Sequence, residues 1–296
     1  CLEKHMKKRD RMERDRAAGK AELLCEALPW INKMSGKTFV IKYGGSAMED
    51  PELCRQVVAD IEMLKLMGVR IVLVHGGGKA INAMLKRLDV PVKFKDGLRV
   101  TDDETMEAVQ EVLVGHVNQQ LVWALNEYGH NAVGISGADG KTLKAEPVDP
   151  DLGRVGRIRE VDANLINTIL DDGYIPVVAT VGCGPDGFYN INADVAADKI
   201  AEAMGADKLI YLTDVDGLFR DFSDEDSLVA QLTRTETHEL LESGTLDGGM
   251  IPKIRSVAEA LDAGVSEVVI LNGTYPHSLL LEIFTDAGCG TMFTQD

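Results

Sequence analysis

No run of eighteen apolar residues occurs in this 296-residue chain, so no segment is expected to span a membrane as a helix. Basic residues are outnumbered: 31 Lys and Arg stand against 48 Asp and Glu, a formal net charge of -17. Nucleic-acid binding needs a basic surface, so no nucleic acid is expected as a partner. Any phosphate site must be a local positive patch in a negative field. Cysteine is sparse, at positions 1, 25, 54, 183 and 289. The count is odd and no Cys-x-x-Cys pair occurs. Neither a disulfide framework nor a structural zinc site is expected, and reduced thiols in the cytoplasm are the expectation. Cys183, in a Gly-Cys-Gly stretch, reads as a small buried thiol in a loop. No apolar segment follows the charges at the amino end, so a secretory signal is not expected. A transit peptide would be poor in acids, and Glu13, Asp15 and Glu22 argue against one. With no Met at position 1, Met6 is the expected native start.

The composition, 45% hydrophobic and 27% charged, suits one large α/β domain or two lobes sharing a sheet. Charges of both signs alternate from Lys7 to Lys20. Leu23, Leu24, Ala27 and Leu28 follow at helical spacing, and Pro29 is expected to stop that N-terminal helix. Apolar strands then alternate with helices. A run from Phe39 to Ile41 ends in Lys42, and Asp50-Pro51 opens a helix to Met67. Val69 to Val74 is a strand, and Lys79 to Leu88 a helix. Val92 to Val100 reads as a hairpin or edge segment, followed by a long helix from Asp103 to Tyr128 and a strand from Asn131 to Ile135. A turn-rich stretch runs through Ile158. Helices over 162–171, 194–204, 252–263 and 276–284 alternate with strands over 175–180, 209–212 and 267–271. This order predicts βαβ units and a parallel sheet buried on both faces, with a division near residue 180 and the sheet continuous across it.

Four constellations carry chemistry. Lys42-Tyr43-Gly44-Gly45 ends a strand, where ligands of open α/β sheets bind. Its glycines allow close backbone approach, so it is either a phosphate cradle with a lysine or a snorkelling strand-end Lys before an ordinary turn. His75-Gly76-Gly77-Gly78-Lys79 is not a Walker A loop, because Leu73 and Ala80 stand where that motif needs Gly and Ser or Thr. It still offers backbone donors at a helix start, with His75 in a structural role. Asn190-Ile191-Asn192-Ala193-Asp194 opens a helix, by capping alone or by also binding a polar ligand while Asp194 fixes nearby ammonium groups. Gly248-Gly249-Met250-Ile251-Pro252-Lys253 puts a lysine in a first helical turn, where the dipole disfavours a cation. That is either a solvated surface Lys or one member of an anion site. Two glycine loops, two lysines and one aspartate able to order both suit phosphoryl transfer, where catalysis is mostly positioning and charge stabilisation.

These motifs, with Asp96-Gly97-Leu98-Arg99-Val100-Thr101 and Thr213-Asp214-Val215, resemble the amino-acid kinase family from about residue 36 onward. The Gly-Leu-Arg-Val-Thr stretch resembles the branch acting on N-acetylglutamate, and separates it from the carbamate, uridylate and aspartate kinases. The resemblance implies a three-layer αβα sandwich with a mainly parallel central sheet. It implies an N-terminal helix extension (1–35), an N-acetylglutamate-binding and dimerisation lobe (36–180) and an ATP-binding lobe with a C-terminal regulatory segment (181–296). The implied reaction transfers phosphate from ATP to the γ-carboxylate of N-acetyl-L-glutamate, giving N-acetyl-L-glutamyl 5-phosphate and ADP in arginine biosynthesis. Lys42 and Lys253 would stabilise the transferring group and Asp194 would orient them. Gly77, Gly78, Arg99, Asn190 and Asn192 would bind substrate, with Arg99 on its α-carboxylate. Gly44, Gly45, Thr213 and Asp214 would bind ATP. Mg2+ would be held mainly by the ATP phosphates, with no protein metal site. The acceptor carboxylate is ionised at neutral pH, so no general base is required. Arginine-inhibited members carry an extra N-terminal helix and a segment like His277 to Thr291. That likeness implies L-arginine as inhibitor, with His277, Glu282 and Gly288 at its site, and a homo-oligomer of dimers linked into a hexamer. A non-catalytic arginine sensor is argued against by the presence of both lysines.

Overall fold

In a computed structural model the described residues are all but 1–17, 20–21, 23–24, 49, 96, 130, 222–223, 225–226, 247–249 and 286–287. Helix α1 (residues 25–34) leads into β1 (Thr38–Tyr43), a 3-10 turn (Ser46–Met48), α2 (Pro51–Leu66), β2 (Arg70–His75) and α3 (Gly78–Arg87). The hairpin β3 (Phe94–Lys95) and β4 (Leu98–Arg99) precedes α4 (Asp103–Gln110), a π-helical segment (Glu111–Val117) and α5 (Asn118–Gly129). Then come β5 (Ala132–Ser136), β6 (Leu143–Pro147), β7 (Val155–Val161), α6 (Asn164–Asp171), β8 (Ile175–Ala179), β9 (Val181–Gly184) and β10 (Gly187–Ile191). The chain continues through α7 (Ala193–Met204), β11 (Lys208–Thr213), β12 (Gln231–Thr233), α8 (Arg234–Ser243), α9 (Ile251–Asp262), β13 (Glu267–Asn272), α10 (Ser278–Phe284) and β14 (Thr291–Thr294).

Eight strands form the central sheet in the order β12-β14-β13-β11-β1-β2-β8-β5, parallel throughout except where β14 runs antiparallel to β13. Alternate residues of each inner strand face opposite layers, as the pleat requires. Phe39, Ile41, Ile71, Leu73, Ile210 and Leu212 pack with α2, α5 and α10 on one face. Val40, Val72, Val74, Leu209 and Tyr211 pack with α6, α7 and α9 on the other. The result is the three-layer αβα sandwich, and its sheet draws strands from both sides of residue 180. Asp50 starts α2 as expected, its Oδ1 accepting from the backbone N–H of Glu52 at 2.8 Å and of Leu53 at 3.2 Å.

The structure departs from the sequence expectations in four places. Pro29 does not stop α1, which continues to Met34. A proline removes one helical hydrogen bond, but Trp30 and Met34 dock this helix onto the core and keep it wound beyond that point. Lys33 lies over the Trp30 ring, 5.5 Å from its centroid. The long helix from Asp103 carries a π segment at its middle, whose Leu113 and Val117 press against Gly77. The turn-rich stretch contains β6 and β7, which with β9 and β10 close a small barrel, so Cys183 sits in a strand and is only half-buried. After β11 the chain also forms β12, α8 and β14, which periodicity did not announce. Among the described residues no helix is long and apolar enough to cross a membrane.

The barrel interior is filled, and its walls come close together at Gly156 of β7. A Cβ there would lie 2.6 Å from the Tyr189 Cβ and 2.7 Å from the Ile191 Cδ1. Gly156→Ala should therefore destabilise the protein by about 1–3 kcal/mol through overpacking. Urea unfolding checks this: a lowered midpoint with unchanged slope is expected, and an unchanged midpoint would contradict the close fit.

Candidate active site

All the inner parallel strands end on one edge of the sheet, and the motif residues gather there. Lys42 is the penultimate residue of β1, and its side chain crosses to the amino end of α7. Its Nζ lies 2.9 Å from Oδ1 of Asp194. Lys253, in the first turn of α9, places Nζ 3.8 Å from the other oxygen of the same carboxylate. Asp194 is held in place because Asn192 caps α7, its Oδ1 accepting from the N–H groups of Asp194 at 2.9 Å and Val195 at 3.2 Å. Burial works against the charge on Asp194. The fields of Lys42 and Lys253 outweigh it and hold the carboxyl below the usual range. Two ammonium groups around one carboxylate leave a net positive charge, and the helix amino terminus adds to it.

A cleft of about 270 Å³ opens beside this cluster, lined by Lys42, Gly44, Gly45, the three glycines 76–78, Arg99, Asn190, Asn192 and Asp194. The glycines are needed for different reasons. A Cβ at Gly44 would come within 2.9 Å of the Lys42 Nζ. Gly45 has φ +79, and a side chain there would collide with the Asp214 carboxylate. Arg99 is buried, with only 8% of its surface exposed. One guanidinium nitrogen donates to the Gly78 carbonyl at 3.1 Å, while Nη1 is buried with no hydrogen-bond partner. Desolvation lowers its pKa, and among the described residues no carboxylate is paired with it. A buried, uncompensated guanidinium at a cleft suits an anion supplied from outside.

The sequence-predicted residues do not all meet. Asn190 lines the cleft and donates to the Thr101 hydroxyl at 3.2 Å, and that hydroxyl donates to the Arg99 carbonyl at 2.8 Å. The side-chain oxygen of Asn192 is taken up by helix capping. Thr213 ends β11 and Asp214 follows it, both outside the cleft lining. Asp214 accepts from the backbone N–H and the hydroxyl of Ser46, both at 2.8 Å, tying the ends of β1 and β11 together. Gly248 and Gly249 lie outside the described residues. His277, Glu282 and Gly288 gather around α10, which packs on α2 across the sheet from α7 and α9. His277 bonds the buried Asp60 through Nδ1 at 2.7 Å. Glu282 accepts from the Cys289 N–H at 2.9 Å, and its Oε2 would meet a Cβ on Gly288 at 2.7 Å. His75 is fully buried and pushed down to about 4 by that burial, so it is neutral at pH 7. It bridges the Gly76 carbonyl at 2.9 Å and the Asn118 amide at 3.1 Å. Phe94 was missed as a site residue; it lies in the cleft wall with its ring 4.9 Å from the Arg99 guanidinium carbon. A lone Phe in a short hairpin carries no motif signal.

A curated acetylglutamate kinase from Brachyspira hyodysenteriae is 50% identical over 280 residues, covering 94% of this chain and 97% of that protein. A solved N-acetylglutamate synthase from Neisseria gonorrhoeae, complexed with coenzyme A and N-acetyl-glutamate, superposes with a TM-score of 0.82 at 30% identity. A second structure of that synthase, complexed with coenzyme A and L-arginine, gives a TM-score of 0.78 at 28% identity. This chain is covered to 93% in both cases but spans only 63% and 65% of the synthase chains. The model of the amino acid kinase family matches residues 37–272. With its parallel sheet, its strand-end lysine and its glycine loops inside that match, the chain belongs to the amino acid kinase family.

Proposed function

We infer that the chain is an acetylglutamate kinase, transferring the γ-phosphoryl group of ATP to the γ-carboxylate of N-acetyl-L-glutamate in arginine biosynthesis. The products are N-acetyl-L-glutamyl 5-phosphate and ADP. The observation that carries this reading is that Lys42, Asp194 and the buried guanidinium of Arg99 line one cleft, with Lys253 reaching the same Asp194 carboxylate. The identity to acetylglutamate kinases over nearly the whole chain supports it.

In this reading the substrate α-carboxylate pairs with Arg99, with Asn190 as a second contact. The γ-carboxylate is already ionised, and one of its oxygens forms the new bond to phosphorus while the bond to the β–γ bridging oxygen breaks and ADP carries away that electron pair. No proton has to move, which fits a cleft whose nearest histidine is neutral, buried and bonded on both ring nitrogens. Lys42 and Lys253 meet the charge of the transferring group, and Asp194 keeps them apart and aimed. Backbone N–H groups of Gly44, Gly45, Gly77 and Gly78 complete the phosphate and substrate contacts. ATP reaches the cluster from the 181–296 side, near Thr213 and Asp214, and residues 36–180 supply most of the acceptor site. Mg2+ comes with the ATP phosphates and neutralises part of their charge. The reading places the enzyme in the cytoplasm.

Feedback inhibition by L-arginine belongs to the same reading, with Glu282 as the partner of the ligand guanidinium and His277 and Gly288 beside it. Dimers joined through N-terminal helices into a hexamer would couple those sites, because arginine must favour one arrangement of the assembly over another.

Lys42→Met and Lys253→Met should each lower kcat by roughly a hundredfold or more with a smaller change in KM, because each ammonium meets charge that grows toward the transition state. Steady-state assays with ATP and N-acetylglutamate check this, and a folded variant with near wild-type kcat would remove that lysine from the mechanism. Arg99→Ala should chiefly raise KM for N-acetylglutamate, and Arg99→Lys should also be impaired, since a bidentate pair is lost. A loss confined to ATP affinity would place the arginine on the other substrate. Arginine titration with light scattering should show sigmoid inhibition of an assembled enzyme. Weaker or less cooperative inhibition is expected once residues 1–28 are removed. A dimer indifferent to millimolar arginine would refute the regulatory reading alone.

A further inference from the structure

Behind the glycine loop that follows β2 lies a buried chain of hydrogen bonds that the reaction does not use. His75 ends β2 and is fully buried, and Asn118 is only 1% exposed. The π segment brings them together. Its closing bond runs from the Asn118 N–H to the Leu113 carbonyl, five residues back, so Leu113 and Asn118 stand on one face. Leu113 packs on the loop: a Cβ on Gly77 would lie 2.7 Å from its Cδ2. Asn118 reaches the ring behind that loop. Its Nδ2 donates to the Val177 carbonyl of β8 at 2.8 Å and to Nε2 of His75 at 3.1 Å, with the Ile135 carbonyl of β5 further off at 3.4 Å. Nδ1 of the same ring meets the Gly76 carbonyl at 2.9 Å. The chain thus runs from the central sheet, through one amide and one ring, to the backbone of the loop that lines the cleft.

Each donor and acceptor in this chain is fixed by the one before it. Carbonyl oxygens only accept, so the nitrogen of the Asn118 amide, not its oxygen, must face Val177 and Ile135. That nitrogen donates to His75, so Nε2 carries the lone pair. The Gly76 carbonyl also accepts, so the proton of the neutral ring sits on Nδ1. The peptide joining Gly76 to Gly77 is trans and planar, so a carbonyl drawn toward the buried ring turns the Gly77 N–H the opposite way. We propose that Asn118 is a positioning residue for the acceptor substrate: it locks His75 in the Nδ1–H form, and the ring holds the Gly76 carbonyl back so that the Gly77 N–H is aimed at N-acetylglutamate. The inference rests on the kinase reading of the cleft. With the other tautomer, Nδ1 would set a lone pair against the Gly76 oxygen, and the loop would lose its anchor.

The surroundings of the ring leave this task to the amide. From β1 the paired residue is Tyr43, whose hydroxyl donates to the Ala47 carbonyl at 2.6 Å and is kept protonated by burial. Cys54 of α2 lies behind it, its thiol also pushed up by burial. From β8 the neighbours are Ala179 and then Thr180, whose hydroxyl donates to the His75 carbonyl at 3.4 Å. From α7, Ala193 faces the adjoining Gly76. The titratable groups of the π segment, Glu111 and His116, are exposed. None of these neighbours brings a charge to the ring, and burial keeps it neutral at and above pH 6. Gly134 of β5 leaves room for the amide, since a side chain there would collide with the Asn118 oxygen.

The test joins NMR of the full chain carrying ring-15N histidine to steady-state kinetics of Asn118→Leu and Asn118→Asp. The wild-type His75 ring, assigned by its loss in His75→Gln, should be protonated on Nδ1 alone and unchanged between about pH 6 and 8.5. Asn118→Leu removes the donor. KM for N-acetylglutamate should rise roughly tenfold or more, and KM for ATP should change less than about threefold. Asn118→Asp replaces the donor with an acceptor and raises the ring's pKa. At low pH a proton shared by the introduced carboxylate and Nε2 preserves Nδ1–H. As pH rises that proton is lost, and the carboxylate draws the one left on the ring to Nε2. The acceptor KM of this variant relative to wild type should therefore be roughly tenfold higher at about pH 8.5 than at about pH 6, a split that simple destabilisation would not produce. Should the Leu variant not fold, the pH split in Asn118→Asp decides. A wild-type ring protonated on Nε2, an acceptor KM in Asn118→Leu within about twofold of wild type, or an equal KM ratio at both pH values would overturn the inference while the kinase reading stands. A wild-type enzyme inactive on ATP and N-acetylglutamate would overturn the kinase reading, and with it the substrate named here.

Discussion

Two lysines far apart in sequence meet at a single carboxylate, and much of the architecture exists to bring them there. Lys42 comes from the end of β1 and Lys253 from the first turn of α9, and neither location favours a cation on its own. Asp194 makes both tenable, because a buried ammonium needs a counter-charge. The carboxylate stays ionised because the two lysines outweigh the cost of its burial. Each charge is the condition for the others, so loss of any one leaves the remainder poorly compensated.

That mutual dependence sets requirements on the sheet. The ends of β1 and β11 must lie side by side, which parallel pairing with Lys42 opposite Tyr211 achieves, and the Asp214 to Ser46 bonds close the gap between their loops. α7 must begin where β1 ends, and Asn192 sets that start by capping it. The glycine loops after β1 and β2 then leave room for a ligand at points where any side chain would strike Lys42, Asp214 or Leu113. Arg99 completes the cleft from a short hairpin, propped by Phe94 and the Gly78 carbonyl, with its Nη1 buried and without a hydrogen-bond partner among the described residues. Site and scaffold are one set of contacts here.

Much of this was legible in the residues. Continuous apolar runs at Phe39, Val69, Ile175, Leu209 and Val268 marked five strands of the parallel sheet, because burial on both faces removes the polar alternation that would otherwise blur them. Asp50-Pro51 and Asn192 marked helix starts by their capping chemistry. The barrel strands were not legible. β6 and β7 carry Lys144, Glu146, Arg157, Arg159 and Glu160, and the pairings of Lys144 with Glu160 and of Glu146 with both arginines make sense only once the strands lie side by side. Nor could Pro29 be read correctly, since its helix survives by docking Trp30 and Met34 on the core.

Residue pattern was enough for the class of fold, the glycine and lysine motifs and hence the kind of chemistry, because each depends on local propensity or on residue types that few other roles require. Which of those motifs share a cleft followed from the packing of the elements. It set Asp194 between the two lysines, spent the oxygen of Asn192 on capping, turned Asp214 toward Ser46, and placed His277 and Glu282 on the far side of the sheet. Tyr211 and Asp198 carry no motif, and their meeting depends on strand register and on the packing of α7 against the sheet. The physical reason is range. Capping and alternation act over a few residues and can be read along the chain, whereas a buried charge finds its partner through packing between elements that the sequence lists far apart.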